Sequence, residues 1–247
     1  MTAISQLGPA EALSLERRLQ RAIHRAPSLE AAAQEYARTV YMALSDSLVL
    51  LRVFAIVPWR ELPAEDREFV RALSEAADMG AAISPDTPVL SLLGTMGTEP
   101  EWCERRRSVG HLGIPLISSE FVAGIPMISR LLKQIGVALD WIDRSDVAIV
   151  GKTFGIQSGV FYVADAATAV DSRGRKIIAA QPFVARHGVR TVFGVGGGYV
   201  GTPVYTTIIG FCRDAISPAQ TEGFRGHIAR FKAETEGLVK GGRIFSA

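Results

Sequence analysis

Apolar residues recur along the chain in two rhythms, one typical of amphipathic helices and the other of buried strands. Near the N-terminus Leu15, Leu19 and Ile23 share one stripe at helical spacing, which predicts a helix over 11–26. The same rhythm predicts helices over 28–44, 63–80, 118–136 and from 218 onward, with Pro126 kinking or restarting the fourth. Apolar runs predict strands at 48–57, 89–93, 146–150, 160–163, 189–195 and 204–212.

The last two predicted strands enclose a glycine-dense stretch that resembles a dinucleotide-binding loop only in its letters. Gly196, Gly198 and Gly201 have the required spacing, but the dinucleotide site needs a helix after the third glycine. Here Pro203 and the β-prone run 204–212 follow, so the glycines are predicted to form a hairpin turn. The triplet at 151–153, Gly-Lys-Thr, likewise lacks the glycine that a phosphate loop needs five residues earlier.

Composition narrows the class of protein. Apolar residues make up 48% of the 247, charged residues 21%, and the formal net charge is +2, as in a globular protein without attraction to nucleic acid. The longest apolar run, 48–59, is interrupted by Arg52 and is shorter than the ~20 residues of a membrane span. Two cysteines and no recognisable secretion signal favour a reduced, cytoplasmic location. We expect one domain over 1–247, because no linker is visible.

The stretch GVRTVFGV at 188–195, followed by PVYTTIIGF at 203–211 and a helix opened by Ser217 and Pro218, resembles the closing section of GAF-type (GAF/PAS-like) sensor domains. The helix at 28–44 and the strand at 48–57 are similar to the beginning of that family, so the resemblance covers roughly the first 90 and last 65 residues. It implies an α/β (α+β) fold, with a central, mainly antiparallel sheet of five or six strands and helices on its faces. An N-terminal helix within 1–26 and an enlarged middle segment, 94–145, would be added to this core.

The resemblance also implies a function, namely a stand-alone, non-catalytic sensory or regulatory domain of a bacterial-type signalling system. Such a domain binds a small molecule, and its N- and C-terminal helices are expected to pack together and form a homodimer. A histidine kinase or another signalling protein is the implied partner. An adaptor that docks a histidine kinase without binding any ligand is an alternative.

The candidate ligand site centres on the irregular segment 94–115, which is the most chemically dense part of the chain. We predict a pocket between the sheet and the longer segment 94–125. Three adjacent arginines, 105–107, cannot all point one way, so one or two of them are expected to face inward, and Arg106 is chosen. The alternative is a solvated face on which the arginines pair with Glu99, Glu101 and Glu104. The predicted ligand-binding residues are Trp102, Arg105, Arg106 and His111 from the loop and Phe161, Phe193 and Tyr205 from strands.

A catalytic alternative rests on Cys103, which lies eight residues before His111. The neighbouring arginines would lower the pKa of this thiol, so Cys103 as nucleophile and His111 as base would suit a redox enzyme or hydrolase. One cysteine and one histidine make an incomplete metal site, and no metal is predicted. The cofactor is unknown, and a haem ligand among the four histidines stays open.

Overall fold

The computed structural model describes residues 2–108, 111–137, 139–144 and 158–246, without the side chains of residues 140, 141 and 144. The predicted strand 146–150 and the triplet 151–153 lie outside the described residues. The helices are α1 (Pro9–His24), α2 (Leu29–Leu44), α3 (Ala64–Glu75), α4 (Ser119–Ala123), α5 (Pro126–Gln134), α6 (Gln181–His187), α7 (Pro218–Glu222) and α8 (Arg225–Lys240). The strands are β1 (Leu48–Pro58), β2 (Pro88–Gly97), β3 (Gly113–Pro115), β4 (Ser158–Val163), β5 (Thr191–Gly198) and β6 (Tyr205–Cys212).

The described strands form one six-stranded sheet in the order β3-β2-β1-β6-β5-β4, and every neighbouring pair is antiparallel. The predicted α+β fold with a mainly antiparallel sheet is therefore confirmed. β1 lies near the centre, and all of its residues are buried, because both faces of the sheet are covered. Successive side chains point to opposite faces, so Leu51 and Val53 belong to one apolar cluster and Leu50 and Phe54 to the other.

One face of the sheet is covered by α1, α2 and α8. The helix predicted over 28–44 is α2, and Ser28 is its N-cap. The Ser28 hydroxyl accepts a hydrogen bond of 3.1 Å from the Ala31 amide. The N-terminal and C-terminal helices pack against each other, as expected, with Gln20 donating to Glu234 (3.1 Å) and Arg230 pairing with Glu16 (3.2 Å). None of the described helices is long and apolar enough to cross a membrane.

The opposite face carries α4, α5, α6 and the segments between them. Pro126 restarts the chain as α5 after α4 ends at Ala123, which confirms the predicted interruption. The segment predicted as an insertion from residue 94 in fact begins inside β2, and β3 was not predicted at all. Gly94 suggested a loop, but it lies inside the strand. The position requires glycine because a Cβ there would come within 2.4 Å of the Ala33 carbonyl carbon in α2.

The hairpin of β5 and β6 is present, but most of its glycines are not in the turn. Gly196 and Gly198 lie within β5, opposite Thr207 and Tyr205 of β6. A Cβ at Gly196 would lie 2.6 Å from the Tyr205 ring, so the absent side chain leaves room for that ring. Only Gly201 is in the turn, where its φ of +77° favours glycine.

Candidate functional site

A cavity of about 360 Å³ opens on the sheet face opposite α1, α2 and α8. Leu50 and Arg52 of β1 and Phe211 of β6 form its floor. Residues 125–128, where α4 gives way to α5, and residues 177–180, before α6, cover it. Its volume lies within the range of small-molecule sites, and its lining is mainly aliphatic and aromatic.

One end of the cavity is an aromatic wall. The Trp102 ring lies edge-on to Phe183 of α6 at 5.5 Å between centroids, and Phe183 is in turn 5.5 Å from Phe211. His187 lies 5.0 Å from Trp102 and behind Phe183. Gly97 makes this packing possible, because a Cβ there would lie 2.8 Å from the Trp102 ring. Trp102 is therefore held against the sheet by its neighbours.

Arg105 anchors the loop that carries Trp102. Its side chain is buried, forms ion pairs with Asp66 of α3 and with Glu30 of α2 (3.6 Å), and donates through Nε to the Leu92 carbonyl at 2.6 Å. The prediction that Arg106 faces inward is wrong. Its side chain is 50% exposed and pairs with Glu65 at 3.5 Å, because Arg105 already occupies the inward position of this single short turn.

The cover of the cavity is also tied down by hydrogen bonds. Asp171 accepts from the amides of Arg173 and Arg175, both at 2.9 Å, which closes a polar turn at this point of the chain. The Arg175 guanidinium reaches from this turn to the Ala123 carbonyl at the end of α4, at 2.7 Å. The two segments that cover the cavity are therefore joined to each other.

Sequence reasoning missed Phe183 and Phe211 of the aromatic wall, and it also missed a charged residue of this site, Arg52. Arg52 is 7% exposed, and its Nη2 donates to the Ser108 hydroxyl at 3.0 Å. Its Nε is buried without a hydrogen-bond partner in the described part of the chain, and burial lowers the pKa of the guanidinium to about 10. A signal was available, because Arg52 is the only charge in the strand run 48–57.

Apart from Arg106, the predicted ligand-binding residues divide into four groups. Trp102 and His111 line the cavity, and Arg105 lies buried behind the loop. Phe161 and Tyr205 face the same side of the sheet but are fully buried in the apolar cluster rather than lining the cavity. Phe193 does not face this side; it points to the helix layer, where its ring packs 4.7 Å from Phe224. The role of these residues in binding remains a prediction.

The catalytic alternative gains no geometric support from Cys103. Its Sγ lies 3.5 Å from the Glu99 carbonyl and 3.7 Å from the Gly97 carbonyl, outside the residues that line the cavity. Among the described residues, no group of three or more His, Cys, Asp or Glu side chains is arranged to hold a metal ion.

Comparisons with known proteins give structural similarities only. No family model matches the chain, and no curated protein matches it. The fold is similar to two solved structures, a phycoerythrobilin-bound and a phycocyanobilin-bound GAF domain from a cyanobacterial phytochrome. Each is 12% identical to this chain and has a TM-score of 0.49. The alignments cover 93% of this chain and 97% and 96% of those chains. A third is the N-acylhomoserine lactone dependent LuxR family transcription factor CepR2 from Burkholderia cenocepacia (12% identity, TM-score 0.43, 94% and 96% coverage).

Two of these structures belong to the GAF class that the sequence resemblance named. The elements on which that resemblance rests are also present, namely α2 leading into β1 and the β5–β6 hairpin leading into α7 and α8. The order of helices and strands that the resemblance implies for these two parts of the chain is therefore present. With TM-scores below 0.5, the comparisons do not indicate a ligand or an activity for this chain.

Proposed function

We propose that this chain is a non-catalytic sensory domain that binds one small, largely apolar molecule in the cavity on the sheet face opposite α1, α2 and α8. The observation that carries the proposal is the cavity itself, which has a ligand-sized volume and an aromatic wall of Trp102, Phe183 and Phe211. Small-molecule sites are usually of this kind, with few polar groups in an apolar lining. Bilin-bound GAF domains among the similar structures fit the same class of protein.

The loop 102–108 would transmit binding to the helix layer. Trp102 lines the cavity, and Arg105, three residues later, reaches Glu30 at the start of α2 and stacks over Phe245 near the C-terminus. A ligand that favours one position of Trp102 would thereby shift the population of states around α2 and the C-terminal segment. A homodimer through α1 and α8, with a histidine kinase or another signalling protein as partner, would carry the output.

The test is binding of neutral probes by the full chain. Native mass spectrometry and an absorption spectrum of freshly purified protein would first reveal any retained ligand. A panel of neutral amides (phenylacetamide, indole-3-acetamide and octanamide) would then be titrated by ligand-observed NMR. We expect saturable binding of at least one probe. Trp102→Ala should weaken that binding tenfold or more, because it removes part of the aromatic wall. A tenfold loss of affinity corresponds to about 1.4 kcal/mol.

Trp59→Ala is the matched control, because Trp59 lies outside the cavity lining and packs against Arg67 and Arg71. It should leave probe affinity unchanged. The proposal fails if the purified protein retains no ligand and binds no probe, or if both tryptophan variants weaken binding equally.

A further inference from the structure

Arg52 is the unusual member of the cavity lining. Its neighbours on the floor, Leu50 and Phe211, are apolar, and so are Ile114 and Ile128 at the sides. Of the described lining residues, Arg52 is the one that carries a permanent positive charge. The side chain comes from the centre of the sheet, from a strand whose every residue is buried, so it cannot turn away to solvent.

The protein supplies Arg52 with little compensation for its burial. A guanidinium offers five N–H donors, and in the described residues one of its nitrogens donates to the neutral hydroxyl of Ser108 at 3.0 Å. Nε has no partner there, and no ion pair to Arg52 occurs among the described carboxylates. Thr95, opposite Arg52 in the strand register, also has a buried hydroxyl without a partner in the described part of the chain. A buried charge in this state normally requires a counter-ion.

We propose that Arg52 binds the carboxylate of the ligand, and that the ligand is an apolar monocarboxylic acid whose body lies along the aromatic wall. This inference rests on the proposed function and adds the chemical class of the ligand. The planar fork of a guanidinium matches a carboxylate with two parallel hydrogen bonds. A monoanion fits better than a phosphate dianion, since Arg52 is the single permanently charged residue of the described lining, which apart from His111 is made of aliphatic and aromatic side chains. Ser108 accepts one hydrogen of Nη2, which holds the guanidinium in place. The Nε–H, buried without a partner in the described part of the chain, and the second hydrogen of Nη2 are the donors for the ligand.

The experiment compares matched acids and amides, which have the same shape and differ in charge. Phenylacetate, indole-3-acetate and octanoate would be titrated against the full chain beside the corresponding amides, at a pH at which the acids are ionised. We expect the wild-type protein to bind at least one acid tenfold or more tightly than its amide. Arg52→Met should bind both members of that pair with the affinity of the wild-type protein for the amide.

Arg106→Met is the matched control, because it removes an arginine of the same region whose side chain is half exposed and paired with Glu65. It should keep the full preference for the acid. Ser108→Ala should reduce the preference without removing it. The melting temperature of ligand-free Arg52→Met should be unchanged or higher than wild type, since an uncompensated buried charge has been replaced by an apolar side chain of similar length.

The outcomes separate this inference from the proposed function. Equal binding of acids and amides by the wild-type protein, or an acid preference that survives Arg52→Met, overturns the role of Arg52 and leaves the cavity as a site for neutral ligands. A fall in the melting temperature of ligand-free Arg52→Met also overturns it, because Arg52 would then be paired within the protein itself. Absence of binding by every acid and every amide overturns both proposals.

Discussion

Replacing Arg105 with Met should lower the free energy of unfolding by about 3–5 kcal/mol, the usual cost of removing one partner from a buried ion pair. Arg105 compensates two carboxylates at once, those of Asp66 and Glu30, and its Nε satisfies the Leu92 carbonyl at 2.6 Å. The side chains of Arg105 and Asp66 are only 3% and 1% exposed, so water cannot replace the lost cation. The loss is a large share of the roughly 5–15 kcal/mol that stabilises a typical domain.

The pH dependence of this loss identifies its cause. Burial raises the pKa of Asp66 above its ordinary value, and the Arg105 guanidinium opposes that rise. Without Arg105 the pKa of Asp66 rises further, and the ionised form becomes still less favourable in the folded state. A carboxyl group with a raised folded-state pKa contributes stability at low pH and loses it as the pH rises. The deficit of Arg105→Met should therefore be greatest near neutral pH and shrink as the pH falls towards about 4, the unfolded value.

Urea unfolding of Arg105→Met from pH 4 to pH 7.5 is the assay. Arg107→Met is the control, because Arg107 is 70% exposed and forms a surface ion pair with Glu104, so its loss should stay within about 0.5 kcal/mol. The double variant Arg105→Met with Asp66→Leu should recover part of the stability, since it removes one stranded charge. The reasoning is refuted if Arg105→Met and Arg107→Met lose the same stability, or if the deficit of Arg105→Met grows towards low pH.

Two other predictions concern the helix layer. Burial lowers the pKa of His227 to about 4 from an ordinary 6.5, so the neutral form is favoured in the folded state. The free energy of unfolding should therefore rise by about 3 kcal/mol between pH 4 and pH 6.5. His227→Gln should flatten this slope in urea unfolding, and a similar flattening in the exposed control His24→Gln would contradict it. Gly94→Ala should cost about 1–3 kcal/mol, because its Cβ would overlap the Ala33 backbone, whereas Gly237→Ala in α8 has open space and should stabilise by about 0.5–1 kcal/mol. Equal melting temperatures for the two glycine variants would refute that contrast.

Much of the fold could be read from the sequence because its signals are local. The helical stripe of Leu15, Leu19 and Ile23, the cap at Ser28 and the break at Pro126 each act within a turn or two of chain. The apolar run that forms β1 could also be recognised as a strand, since it is too short for a membrane span and rich in β-branched residues. Trp102 and His111, which were chosen from the irregular segment, line the cavity, and their role in binding a ligand stays a prediction.

The composition of the site needed the tertiary structure, and the reason lies in the sheet. Both of its faces are covered, so its central strands lack the alternation of polar and apolar residues that would show which side chains share a face. Phe193 points to the helix layer and Phe161 to the opposite side of the sheet. No local sequence pattern distinguished these two orientations. By itself the sequence determined most of the elements, though not β3 or α6, and the presence of one charge in the central strand. Only the packing of both layers decided that Arg52 faces the cavity, because register and burial are properties of the assembled sheet.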